Sequence, residues 1–306
     1  MPAPVILAYV IVSLVWGSTY LAIRIGVQHW PPALFGGVRF LTAGLLLLVV
    51  ALLLRKPFPR RLRDWRTAAV VGVMLLSVGN GLVIWSEQYI ESGLAAVLVM
   101  TGALWMALLD AVIPGSERRP TQQQFVGLGV GFAGAVWLAL GDGTTLQAAG
   151  VWPALALLAA TFSWAAGSIY SKRHPVETGP YVHAALQMCV GGAVLAVTGV
   201  VTGEAARFEF SRAGLLAVAY LILFGSIVAY TSYVYLLKHA QPTFLGTHVY
   251  VNTCVAVLLG WLVLDERLSV DRVAAMAVVI GSVIWVRQAE RSAARRLARS
   301  GGGRHA

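Results

Sequence analysis

Ten apolar stretches of about 20 residues each follow one another along this chain, and each is long enough to cross a hydrocarbon core as a helix. In such a core the backbone can satisfy its own N–H and C=O groups only within helices or closed barrels. The stretches run Pro4–Ile23, Ala33–Leu54, Thr67–Ser86, Gly93–Ile113, Gln122–Leu140, Gly150–Tyr170, Gly179–Val201, Ala213–Leu237, Thr243–Leu264 and Val270–Val286. The expected fold class is therefore all-α and integral to a bilayer, with ten transmembrane helices. Composition agrees. Of 306 residues, 58% are hydrophobic and 12% charged, against about 25% charged in soluble domains. The mean hydropathy is +0.75. Too few charges remain to solvate a soluble globule, a coiled coil or a disordered chain.

A net charge of +10 would suggest nucleic acid as a partner in a soluble protein. Here the 23 Lys and Arg residues sort by loop. With the N-terminus inside, 17 of them fall on the inner side: Arg55, Lys56, Arg60, Arg61, Arg63, Arg66, Arg118, Arg119, Lys172, Arg173, Lys238, Arg287, Arg291, Arg295, Arg296, Arg299 and Arg304. Five fall outside (Arg24, Arg207, Arg212, Arg267 and Arg272), and Arg39 lies within the second span. The positive-inside rule then puts both termini in the cytoplasm, and the charge is topological, with no nucleic acid implied. The first stretch lacks the basic flank and small-residue cleavage site of a secretory signal, so it is expected to remain a span.

Shifting the sequence on itself by about 148 residues aligns the first five spans with the last five. Trp16 meets Trp164, Pro32 meets Pro180, Gly44 meets Gly192 and Trp137 meets Trp285; with small indels Gly79 meets Gly225, and Glu117-Arg118 meets Glu266-Arg267. Collinearity at one offset carries the argument, because Trp and Gly are frequent. Two five-span copies must cross the membrane in opposite senses. The expected organisation is repeat 1 over residues 4–140, repeat 2 over 150–286 and a basic cytoplasmic tail over 287–306, read as a solvated helix on the inner leaflet. Inverted repeats are the architecture of secondary transporters, in which one packing opens inward and its symmetry-related packing opens outward.

Several segments carry a resemblance. They are Trp16-Gly17-Ser18-Thr19-Tyr20 with Arg24, Gly37-Val38-Arg39-Phe40, Val78-Gly79-Asn80-Gly81, Ser92-Gly93-Leu94-Ala95-Ala96, Leu223-Phe224-Gly225-Ser226, and Tyr250-Val251-Asn252 ahead of Val255-Ala256-Val257-Leu258-Leu259-Gly260. Together they resemble the EamA-domain branch of the drug/metabolite transporter superfamily over nearly the whole chain. The resemblance implies ten helices, two EamA repeats and export of amino acids or similar small metabolites through a central cavity of a bacterial inner-membrane protein. It leaves the substrate open. Two prolines usual in the family are absent: Gly102-Ala103-Leu104-Trp105 and Asn252-Thr253 stand in their places. All twelve prolines lie in loops or near helix starts, so flexibility is expected at glycines such as Gly79, Gly81 and Gly225 rather than at proline hinges.

Lipid and a dry bundle core are similarly apolar, so the pathway must be sought through polar and aromatic residues near mid-span. Trp16, Trp105 and Trp164 lie near the centres of spans 1, 4 and 6, where an indole N–H wants an acceptor. The other seven tryptophans fall near span ends and read as interfacial anchors. Helical spacing places Trp16 with Tyr20, Thr101 with Trp105, Trp164 with Ser168, and His248 with Asn252 on shared faces. Asn80 and Tyr230 add polar groups on spans 3 and 8. These ten residues are the candidate substrate-binding set, suited to a zwitterion or polar aromatic solute. The alternative for any one of them is a hydrogen bond to a helix carbonyl or a packed core position. Candidate coupling or gating residues are Arg39, Glu87, Gly79 and Gly225, with Arg39 able to snorkel outward or to pair with Glu87 or Glu91.

No phosphate-binding loop, zinc motif or converging Ser/His/Asp set is present. Cys189 and Cys254 lie in apolar runs without metal-ligand spacing. The reading is a transporter rather than an enzyme, with no cofactor and no metal. Its partners are a small-molecule substrate and the lipid bilayer, and it is a monomer or a homodimer. Gly127, Gly131 and Gly134 are spaced for a close helix contact, either internal or between protomers. The alternatives are a flippase for a lipid-linked headgroup, which needs a basic clamp, and a non-transporting membrane sensor.

Overall fold

The computed structural model describes residues 2–90, 92–112, 121–140, 151–264 and 270–301. All the regular structure among them is helical. We number the helices α1 (Ala3–Val27), α2 (Pro32–Leu53), α3 (Leu62–Ser86), α4 (Ser92–Val99), α5 (Thr101–Val112), α6 (Gln122–Leu140), α7 (Val151–Arg173), α8 (Pro180–Val201), α9 (Arg212–His239), α10 (Pro242–Gly246), α11 (His248–Leu264) and α12 (Val270–Gly301). Prolines at or beside the first turn start α1, α2, α8 and α10, where a missing N–H costs nothing.

Among the described residues seven helices are long and apolar enough to cross a membrane: α1, α2, α3, α7, α8, α9 and the stretch Phe244–Val263 that runs from α10 into α11. Three of the ten expected spans are not among these seven: the fourth, the fifth (α6, a single helix of 19 residues) and the tenth. The fourth is divided at Met100 into helices of 8 and 12 residues, and the apolar part of the tenth is Val273–Val286. That last helix does not stop at residue 286 but continues through the basic segment to Gly301. The paired dipeptides Glu117-Arg118 and Glu266-Arg267, together with Arg119 and Arg304, lie outside the described residues.

Two helices are not α-helical throughout. In α3 the stretch Gly72–Asn80 is a π-helix, and in α9 so is Leu221–Tyr230. The two begin 149 residues apart, and the breaks at Met100 and Thr247 stand 147 apart, close to the offset of the sequence repeat. π-helical turns are rare and concentrate at functional sites. Carbonyls in both accept bonds from a crossing helix: Ser163 Oγ on α7 donates to Met74 O (2.8 Å), and Trp16 Nε1 on α1 donates to Gly225 O (3.0 Å).

The two halves of the chain interdigitate. α2 packs on α8, α6 on α12, α1 on α11 and α5 on α7, while the π segment of α3 lies on α7 and α8 and that of α9 lies on α1 and α2. Glycines let α2 and α8 approach backbone to backbone. A Cβ on Gly192 would lie 2.5 Å from Leu41 N, one on Gly44 2.8 Å from Cys189 N, and one on Gly37 2.7 Å from Ala196 N. Small residues are the usual means of close helix packing in lipid, where no hydrophobic drive separates helix from acyl chain. The glycine face of α6 is also internal: a Cβ at Gly127 would lie 2.7 Å from Val286 Cγ2 on α12.

Candidate functional site: a cavity between the halves

Where the interleaved helices meet, they leave a cavity of about 90 Å³. At roughly 10–15 Å³ per water, that is space for several waters or a small solute. Both halves build its wall. α1 supplies Trp16, Thr19 and Tyr20; α2 supplies Arg39 and Phe40; α3 supplies Gly79 and Asn80; α5 supplies Gly102. From the second half come Thr161 and Trp164 on α7, Gly225 and Tyr230 on α9, and His248 and Asn252 on α11.

One side of the chamber is aromatic. The rings of Trp16 and Trp164 meet edge to face with centroids 5.4 Å apart, and Trp16 lies 5.4 Å from His248 and 5.0 Å from Tyr233. Edge-to-face geometry is the arrangement that ring quadrupoles favour. Tyr233, fully buried behind Trp164, fixes that indole by accepting from Trp164 Nε1 (2.8 Å) and bonding Ser168 Oγ (2.7 Å). Ser168 in turn donates to Trp164 O (2.7 Å). Tyr230 OH donates to Gln187 Oε1 on α8 (2.7 Å). With its amide oriented so that nitrogen donates, Asn252 bonds Ser13 O (2.6 Å) and His248 O (3.0 Å), and His248 Nδ1 lies 2.6 Å from Leu245 O.

Among the described residues, the wall carries one formal charge. Arg39 is 3% exposed, its Nε donates to Ser226 Oγ (3.0 Å), and its guanidinium carbon lies 4.6 Å over the Phe40 ring. Nη1 has no acceptor. Glu87, at the end of α3, is fully buried with both carboxylate oxygens lacking a hydrogen-bond partner. Arg24 donates to the backbone carbonyls of Glu87 and Ile90 rather than to that carboxylate. Gly225 touches both the aromatic cluster and Arg39. Its carbonyl holds the Trp16 indole, and a Cβ there would lie 3.0 Å from both Arg39 Nη2 and Thr19 Cγ2.

Of the fourteen candidate residues, ten line this cavity: Trp16, Tyr20, Arg39, Gly79, Asn80, Trp164, Gly225, Tyr230, His248 and Asn252. Four do not. Ser168 lies one layer behind Trp164. Thr101 bonds Thr161 Oγ1 (2.9 Å), which is itself on the wall. Trp105 is not on the cavity wall: it packs against the core, meets Phe162 edge to face at 5.4 Å, and its Nε1 is buried without a partner. Glu87 is buried beyond the wall, and no ion pair joins it to Arg39 among the described residues; Glu91 lies outside them. Arg39 thus turns inward and does not snorkel. The sequence reading missed Tyr233 and Thr161, each three residues from a candidate (Tyr230 and Trp164) and so on the same helix face. It also missed Gln187. Trp30, read as an interfacial anchor, is buried against Phe35 and Phe208.

The profile of the EamA-like transporter family matches residues 3–140 and again 151–288. The uncharacterized inner membrane transporter YedA of Escherichia coli (strain K12) is 39% identical over 274 residues, covering 89% of this chain and 87% of that protein. The uncharacterized transporter YvbV of Bacillus subtilis (strain 168) is 24% identical over 285 residues, 92% of this chain and 90% of its own. A solved crystal structure has the same fold, with a TM-score of 0.74 at 21% identity over 97% of this chain and 99% of that one. With the profile matched twice in tandem and a 39% identical relative spanning most of its length, this chain belongs to the EamA-like transporter family.

Proposed function

We propose that this protein is a secondary transporter of the bacterial inner membrane that exports amino acids or similar small metabolites by alternating access. In this reading ten spans form two inverted five-helix repeats, with both termini cytoplasmic. The observation that carries it is a central cavity walled by both halves, with irregular helix segments recurring at the repeat offset on its border. Paired π segments give each half one helix whose hydrogen-bond register can shift without a proline. Such a pair suits a chamber that opens alternately to the two sides. The wall is aromatic and amide-rich with little fixed charge, which favours a small amphiphilic solute.

The test is flux. Proteoliposomes loaded with a radiolabelled amino-acid panel are expected to release at least one member faster than protein-free vesicles, and to do so saturably. Release from every member at the protein-free rate contradicts the reading.

A further inference from the structure

The one charged group on the cavity wall is more than a packing feature, and the chemistry left open around it names what the cavity holds. An arginine in mid-membrane is costly, and such residues face a partner or a pathway. Among the described residues that line the chamber, Arg39 alone carries a formal charge. Its guanidinium has five N–H donors in one plane. Nε is used by Ser226 Oγ, Phe40 covers a face of the plane, and Nη1 has no acceptor. Nη2 packs beside Gly225, where a Cβ would lie 3.0 Å from it. Nη1 is therefore a buried donor on a wall residue that no protein atom satisfies, and an anion entering the chamber would supply the acceptor it lacks. Glu87 does not satisfy that donor: it is buried beyond the wall, and both its oxygens lack a partner.

We propose that Arg39 is the docking point for a carboxylate of the transported solute, held in the plane of the guanidinium while the solute's apolar part rests against Trp16 and Trp164. A planar two-oxygen anion matches the fork as no monodentate ligand does. A single cation suits a monoanion; a phosphate dianion would call for a second cation on the wall. This inference rests on the transport reading for the word "transported", but not for the binding itself.

Trp16 and Trp164 make the test direct, because ligand entering the chamber should change their fluorescence. The purified full-length protein is titrated with L-phenylalanine, 3-phenylpropionate, phenylalaninamide and phenethylamine, and with leucine and leucinamide. The carboxylates are expected to bind about 30-fold or more tightly than the matching amide or amine, as for a desolvated charge-assisted pair. Arg39→Gln should bring that ratio close to one, and Arg39→Lys should restore part of it. An amide that binds wild type as tightly as its acid, or a panel in which no carboxylate binds, overturns the proposal. The wild-type ratio decides the matter even if Arg39→Gln fails to fold. Carboxylate selectivity without flux would sink the transport reading and leave the docking intact, whereas flux indifferent to the carboxylate would do the reverse.

Discussion

Gly192→Leu is expected to abolish the folded protein, whereas Gly129→Leu on the same molecule should be nearly silent. At position 192 the new Cβ would lie 2.5 Å from Leu41 N and 2.9 Å from Phe40 C. Those neighbours are backbone, so no rotamer change can clear the way. α2 and α8 must move apart along the most extensive helix contact in the bundle, and Gly44 and Gly37 lose their close approach to α8 with it. Overpacking a dense core costs about 1–3 kcal/mol per inserted group and more where the backbone itself must shift. Native stabilities are only about 5–15 kcal/mol. Gly129 has nothing within 4 Å of its Cβ position. Size-exclusion profiles in detergent after a heat step would check this: loss of the monodisperse peak for the first variant and its retention for the second. Equal survival of both variants would mean that α2 and α8 are not in backbone contact.

Trp164→Ala is expected to lower flux by about 100-fold or more per folded molecule. The indole forms part of the cavity wall, meets Trp16 edge to face and is held by Tyr233. Removing a large buried aromatic costs about 3–5 kcal/mol through lost contacts and the void left behind. At this position the void adds to the chamber itself, so a solute loses its wall. Trp164→Phe keeps a ring but not the N–H donor to Tyr233 and should lie between, at about fivefold, since a neutral hydrogen bond is worth about 1 kcal/mol. Initial rates at several solute concentrations, normalised to protein recovered after size exclusion, give the comparison. A rate unchanged in Trp164→Ala would remove the indole from the pathway.

Much of this site was legible because hydrocarbon penalises polar groups. Trp16, Asn80, Trp164, Tyr230, His248 and Asn252 stand out near mid-span, and all six face the chamber. What the sequence could not supply was direction. Thr101 and Trp105 share a helix face by spacing, but whether that face meets the cavity or the bundle surface depends on how α5 rotates against α7, which spacing does not encode. Arg39 could equally snorkel to the interface or turn inward; the bond to Ser226 on α9, 187 positions away, decides it. The π segments leave no compositional mark, since one extra residue per hydrogen-bonded ring needs neither Gly nor Pro. The break at Met100 likewise falls within an apolar run that reads as one helix. The helical character of the basic tail, by contrast, was legible: α12 runs on to Gly301, because a change from apolar to basic residues ends a span without ending a helix.

In the proposed mechanism the two halves enclose one chamber that opens to each side in turn. Its most direct measurement is sided labelling of Asn80→Cys, a cavity-lining position on α3, in a background with Cys189→Ser and Cys254→Ala. A membrane-impermeant thiol reagent applied from either face of the vesicle should modify Asn80→Cys to completion, and a transported solute should slow both reactions. Labelling confined to one face, with and without solute, would contradict the account.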